Sequence, residues 1–431
     1  MATTSTKSAA RTAERSTWQQ WVETWYLAYA LLGVAIAGLA PILLPLTASR
    51  TGNAANVGLV MAAFSLGGLT APLWGGLADR YRVHRWLLVG GLLVVAIGLV
   101  AFAFTQTPTA WLALALLISI GSAAAATVAN LFVVEAHPSS EWDERIGWLQ
   151  TFYGGGQVGG LLLAGVLSQI DLRVGLLVAA GLTALGILPG LFATHTPPAP
   201  VSPKPVLLHP TRHGDWVAGS PQRLFHHLTW TALRQLRPAL LSPFGIFLAV
   251  WLISFAGAAA VFSLYPVLMQ QVFGIAPGLS SIAFAVAAGL GLALYAPAGH
   301  WSERLKPGRV LQIGLGLRLF AFLGLLGLGL MQFDGRYWLA LLGFALVVLA
   351  WSLLSVRGTT LTADLAPIGE GAGIGIFNAA TALAGVIGAA MGGWVAKSWG
   401  YNAVSGFAAM GVALGFLVAL WQHNIGEQRK K

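Results

Sequence analysis

The chain contains no cysteine, which excludes a disulfide framework, a thiolate nucleophile and any Cys-based metal site. It is short of charge: Asp, Glu, Lys and Arg make up 9% of its 431 residues, against about 25% in soluble domains. So few charges cannot cover a water-facing surface, whereas a lipid-facing surface needs none. Two catalytic signatures are missing. There is no Gly-x-x-x-x-Gly-Lys-Ser/Thr phosphate loop for an ATP-driven pump, and no His-Glu-x-x-His zinc helix. No His or Cys falls inside an apolar stretch, so an intramembrane enzyme lacks its nucleophile or metal ligands. The first twenty residues hold Lys7, Arg11 and Arg15 without an apolar core, unlike a cleaved signal peptide. The first apolar stretch is the expected membrane signal.

What is there is hydrophobicity, 57% of residues, together with 54 glycines. A spanning helix needs about 20 mostly apolar residues. Twelve such stretches run roughly over 24–47, 55–77, 85–105, 110–134, 146–168, 173–194, 243–266, 279–299, 309–331, 337–356, 372–396 and 401–422. A bilayer core has no water to satisfy a bare backbone, so each must be helical. The expected fold is an all-α membrane protein with twelve transmembrane helices. The longest connection divides the spans six and six. The expected organisation is an N-terminal tail (1–23), a six-helix bundle (24–194), a central loop (195–238), a second bundle (239–422) and a C-terminal tail (423–431). Ser220-Pro221, followed by Leu224, Phe225 and Leu228, reads either as the start of a short interfacial helix or as part of an unstructured linker.

Charge sets the orientation. With the N-terminus inside, nineteen of the 24 Lys and Arg fall on tails and inward loops. Arg50, Arg173, Arg336 and Lys397 fall on outward loops, and Arg318 lies inside a span. The positive-inside rule therefore places both termini in the cytoplasm, with the chain in the cell membrane. The same distribution explains the net charge of +10 without nucleic acid. All nine histidines fall on inward segments, so none is placed as an intramembrane proton relay.

The sequence repeats itself. Gly75, Asp79, Arg80 and Arg85 between spans 2 and 3 recur as Gly299, Glu303, Arg304 and Arg309 between spans 8 and 9, at an offset of 224. Gly147, Gly156, Gly160 and Gly165 of span 5 recur as Gly375, Ala384, Gly388 and Gly393 of span 11, at an offset of 228. Two echoes at nearly equal offsets point to duplicated halves, with a solute site between them near the midplane.

Gly75-x-Leu77-Ala78-Asp79-Arg80 with Arg85 resembles the loop signature, motif A, of the major facilitator superfamily (MFS). The six-plus-six topology and the fainter second copy fit that family over residues 20–422. The chain departs from the pattern at Arg82, where the family usually has glycine, and at Val83, where it has a basic residue. Span 5 is similar to the antiporter signature, motif C, except that Leu161 replaces its proline and Ala164 its penultimate glycine. Leu117 stands where proton-coupled drug exporters have an arginine in span 4. The resemblance implies two pseudo-symmetric six-helix bundles and alternating access.

It also implies roles for residues. Asp79 would face the start of span 11, where free N–H groups favour negative charge, and Glu303 the start of span 5 beside Arg145. Arg80, Arg85, Arg304 and Arg309 would complete the inner gate, or would only set topology. Spans 1, 2, 4, 5, 7, 8, 10 and 11 line the cavity in the family. Their polar and aromatic members here are Tyr29, Asn130, Gln150, Tyr153, Gln157, Trp251, Tyr265, Trp351, Asn378 and Thr381. About half are expected to touch solute, the rest serving helix–helix hydrogen bonds. Arg318 sits mid-span, where charge is costly. Span 9 lies outside the cavity in the family, so pairing with a carbonyl or neighbouring span is weighed above a solute role. Glu23 and Glu135 read as interfacial.

The expected activity is secondary transport, as an exporter of hydrophobic or amphipathic compounds. Uptake of a sugar or other neutral metabolite, and a non-transporting sensor, are the alternatives. The expected partners are a small-molecule substrate, the bilayer and, as candidate coupling ion, protons. The expected unit is a monomer without cofactor or metal.

Overall fold

The computed structural model describes residues 21–138, 141–192, 238, 241–304, 307–367 and 370–428. For Asp79, Glu135, Asp143, 295–304, 307–308, Ala363, 370–372 and 421–428 only the backbone is described. Both tails and nearly all of the central loop, including the candidate interfacial helix, lie outside the described residues.

The described residues form twelve long helices and no strand. In chain order they are α1 (Tyr26–Ser49), α2 (54–81), α3 (His84–Phe104), α4 (Pro108–Ala136), α5 (Trp142–Ile170) and α6 (Leu172–Leu191). The second six are α7 (Pro243–Phe273), α8 (Pro277–Arg304), α9 (Pro307–Leu330), α10 (Arg336–Leu365), α11 (Glu370–Trp399) and α12 (Tyr401–Gln428). Eleven are long and apolar enough to cross a membrane on composition alone; α5 is the exception. It carries Glu144, Arg145, Gln150, Gln157 and Gln169, and is wedged between α1 and α8.

Local chemistry sets the ends. Asn53, Asp171 and Ser242 cap α2, α6 and α7, each side-chain oxygen accepting from the backbone N–H two residues on. Gly274, in the left-handed region at φ 68°, closes α7. The same conformation falls on Arg82 after α2, at φ 52°, the one positive-φ non-glycine among the described residues. This is where the motif A pattern has glycine, and a side chain there costs about 1–2 kcal/mol. Arg82→Gly is therefore expected to raise stability by up to about 1 kcal/mol, the gain reduced by glycine's backbone entropy. A melting curve checks it; an unchanged or lower midpoint shows that the Arg82 side chain offsets its backbone strain.

Small residues set the packing, since apolar lipid gives helices little hydrophobic reason to associate. Gly156 and Gly160 of α5 meet the backbone of α1 at Ala30 and Val34. Gly388 of α11 meets the backbone of α7 at Ala256 in the same way. Gly165 of α5 crosses Gly278 of α8, and Gly393 of α11 crosses Gly58 of α2. The span-5 and span-11 glycine echo is thus one structural role used twice. Gly147 meets nothing within 4 Å.

The side on which α1 begins and α12 ends is here the near face, the opposite side the far face. Gly165–Gly278 and Gly393–Gly58 both lie toward the far face, and there the end of α1, Ala40–Ser49, also packs on α7. Toward the near face, residues 71–81 of α2 lean on α4 and α3. An apolar cleft opens between Leu69 of α2, Leu248 and Leu252 of α7 and Ile376 and Leu383 of α11. The glycine crossings between the halves thus lie toward the far face, and the cleft lies nearer the near face.

Candidate solute cavity and gate

A cavity of about 350 Å³ lies between the halves. Ser65 of α2, Gln157 of α5, Phe255 and Phe262 of α7, Phe284 of α8, Arg318 of α9, Trp351 of α10 and Gly385 of α11 all line it. All but Phe284, two turns into α8, stand close to the middle of their helices, so the cavity sits near mid-depth. The second half supplies most of the wall. Ser352 of α10 donates to the Gly291 carbonyl of α8 at 2.9 Å, tying two lining helices together.

Beside the cavity is an aromatic block. Trp251 lies 4.6 Å from Phe377 and 6.1 Å from Trp351 between ring centroids. Its indole N–H donates to the Thr381 hydroxyl at 2.8 Å. In the first half a separate polar group forms: Gln150 donates to Asn130 at 3.2 Å, and Tyr29 packs on Tyr153 with centroids 4.7 Å apart. The amides of Asn130 and Gln150 adjoin the Tyr29 hydroxyl.

At the near face Glu23, His137, Glu141 and Arg145 knot the first half. Glu23 meets His137 Nε2 at 2.7 Å and Arg145 at 3.6 Å. Arg145 Nε donates to Glu141 at 2.8 Å. These contacts join the entrance of α1, the end of α4 and the start of α5.

A family model described as Major Facilitator Superfamily matches residues 25–370. The chain belongs to the Major Facilitator Superfamily. It is therefore a multi-pass membrane transporter of small molecules, with the MFS fold of two pseudo-symmetric six-helix bundles. The multidrug resistance protein MdtG of Proteus mirabilis (strain HI4320) is 25% identical over 372 residues, 85% of each chain. Among solved structures, a point mutant of the nucleoside transporter NupG superposes with a TM-score of 0.72 at 12% identity, over 92% of this chain and 98% of that one. A D-xylose-proton symporter gives 0.66 at 15% identity, over 92% and 95%. These superpositions establish the fold.

The cavity takes some of the residues expected from the sequence and leaves others. Gln157 and Trp351 line it. Trp251 and Thr381 support its wall through their shared hydrogen bond. Tyr29, Asn130, Gln150 and Tyr153 form the group nearer the α5 entrance. Asn378 is exposed two turns inward of Gly385 on the same face of α11. Tyr265 does not reach the cavity: it is fully buried, stacked on Phe344 at 3.7 Å and donating to the Ser280 carbonyl at 2.7 Å. Phe255, Phe262 and Phe284 were not expected, because an aromatic on an apolar helix looks the same whether it faces lipid or solute.

Of the gate residues, Gly75 is buried and Arg80 and Arg309 are exposed. Arg85 is exposed beside the entrance of α3. Of Asp79, Gly299, Glu303 and Arg304 only the backbone is described. Arg145 is engaged within its own half by Glu23 and Glu141. Glu23, read as interfacial, is a partly buried member of that cluster.

Proposed function

We propose that the protein is a secondary exporter of hydrophobic or amphipathic small molecules. It works by alternating access, with its termini in the cytoplasm and the near face inward. The carrying observation is the lining itself: Phe255, Phe262, Phe284 and Trp351 around a mid-depth cavity, a surface that stacks apolar bodies. The MdtG relative, a multidrug resistance protein, supports the same direction. Asp79, Arg80, Glu303 and Arg304 serve as the inner gate in this reading, engaging as the near face closes. A second reading, uptake of a neutral polar solute, is favoured by Gln157, Ser65 and Ser263 in the same wall.

Proteoliposomes under an imposed pH gradient test both. Neutral amphipathic dyes are expected to move against their gradient and to outcompete xylose and uridine. Saturable uridine or xylose flux without dye flux would establish the second reading. Flux of neither class sinks the transporter assignment for these solutes.

A further inference from the structure

Arg318 lies eleven residues into α9, about 17 Å of helix from either end at 1.5 Å per residue. Its side chain is 2% exposed, and its Nε and Nη2 have no hydrogen-bond partner. It nonetheless lines the cavity. The sequence offers it no counter-charge at that depth. Every one of the 14 acids lies in a tail, a connection, or the first or last turn of a helix. The guanidinium carbon sits 5.5 Å from the Trp351 ring centroid. A cation–π contact covers one face of the group but satisfies none of its in-plane N–H donors. A buried cation is normally paired, and a structural arginine would have found a carbonyl, as Arg173 finds Ala103 and Arg336 finds Met331.

We propose that Arg318 is the anion-recognition residue of the cavity. The solute it selects is an amphipathic carboxylate, whose head accepts from the guanidinium while its apolar body lies on Phe255, Phe262, Phe284 and Trp351. This rests on reading the cavity as the solute site, and adds a preference for monoanions within the amphipathic class. Arginine suits the task because its planar fork matches a carboxylate and it stays charged without a proton donor. The walls hold hydroxyls and one amide but, among the described residues, no carboxylate to compete.

The test compares 2-naphthoate with 2-naphthamide, which share a ring system and differ in charge. Binding to the full-length protein in detergent is measured by equilibrium dialysis, with and without sodium chloride. Wild type is expected to bind naphthoate about tenfold tighter or more, the scale of one charge-assisted pair. Arg318→Gln should remove that preference, and Arg318→Lys should keep part of it. Equal affinity of wild type for the two compounds, or a preference surviving in Arg318→Gln, overturns the proposal. So does Arg318→Gln losing the preference only together with its melting transition, which marks a structural arginine. Chloride that displaces naphthoate in an Arg318-dependent manner assigns the charge to a halide instead. Failure of both compounds to bind wild type also overturns it. The wider exporter reading is judged apart from this, on the flux of neutral dyes.

Discussion

Gly393→Val is expected to leave the protein inserted and folded while reducing transport roughly 10- to 100-fold. A Cβ at Gly393 would lie 2.6 Å from Gly58 Cα and 2.9 Å from the Ala54 carbonyl oxygen. Both neighbours are backbone, so no side chain can swing aside. Forcing volume into such a contact costs about 1–3 kcal/mol, and each 1.4 kcal/mol is about tenfold in an equilibrium. The penalty falls on one conformation, since this crossing closes the far face. The substitution therefore displaces the population toward a far-face-open state rather than unfolding the chain. The absence of cysteine makes the check direct. A single Ala259→Cys places a thiol in the cavity wall. In the Gly393→Val background it should react faster with an impermeant reagent on the far-face side and slower on the near-face side. Unchanged labelling together with wild-type transport would show that the crossing plays no part in gating. Gly165→Val at the α5–α8 crossing should do less, because its nearest neighbour is the flexible Ile282 side chain at 2.9 Å.

The twelve helices and their halves were legible because the bilayer imposes length and apolarity on every span, and because duplication leaves a constant offset. α5 reads over 146–168 as an apolar stretch like the others, although the whole helix Trp142–Ile170 is too polar to pass on composition. Arg82 was legible as a departure from a family pattern, but its meaning needed the backbone: the position is left-handed. The cavity was harder. In a soluble helix the buried face is the apolar one, whereas here lipid, protein and solute all accept apolar side chains. Nothing in the sequence separates Phe262, which lines the cavity, from Phe104, which is exposed. Tyr265 misled for the converse reason, since a hydroxyl in a span can be spent on a backbone carbonyl. Arg318 stood out as a mid-span charge, but the usual placement of span 9 behind the cavity argued it away from the solute. Its side chain is long enough to reach the cavity that α8 and α10 line. The pairing of Glu23 with His137, 114 residues away, left no local pattern to read.

The halves should also fail alike. Gly160→Val and Gly388→Val are each expected to destabilise the protein by about 1–3 kcal/mol, or more if the helices cannot part. At Gly160 a side chain meets the Val34 carbonyl and Gly38 Cα of α1; at Gly388 it meets the Ala256 carbonyl and Ala259 Cβ of α7. Valine's own helix preference contributes little to the difference that matters. Gly159→Val, one residue away on α5, introduces the same residue where nothing lies within 4 Å. Thermal unfolding in detergent should therefore show Gly159→Val near wild type and the two crossing variants well below it. Equal midpoints for Gly159→Val and Gly160→Val would mean that α5 does not present this face to α1. The two crossings belong to different halves, so their costs should add in the double variant. They differ in one further respect. Ala259 lines the cavity and Val34 does not. Gly388→Val, by pushing on Ala259, should weaken solute binding in the protein that remains folded, whereas Gly160→Val should reduce the folded fraction without changing the affinity of what is left.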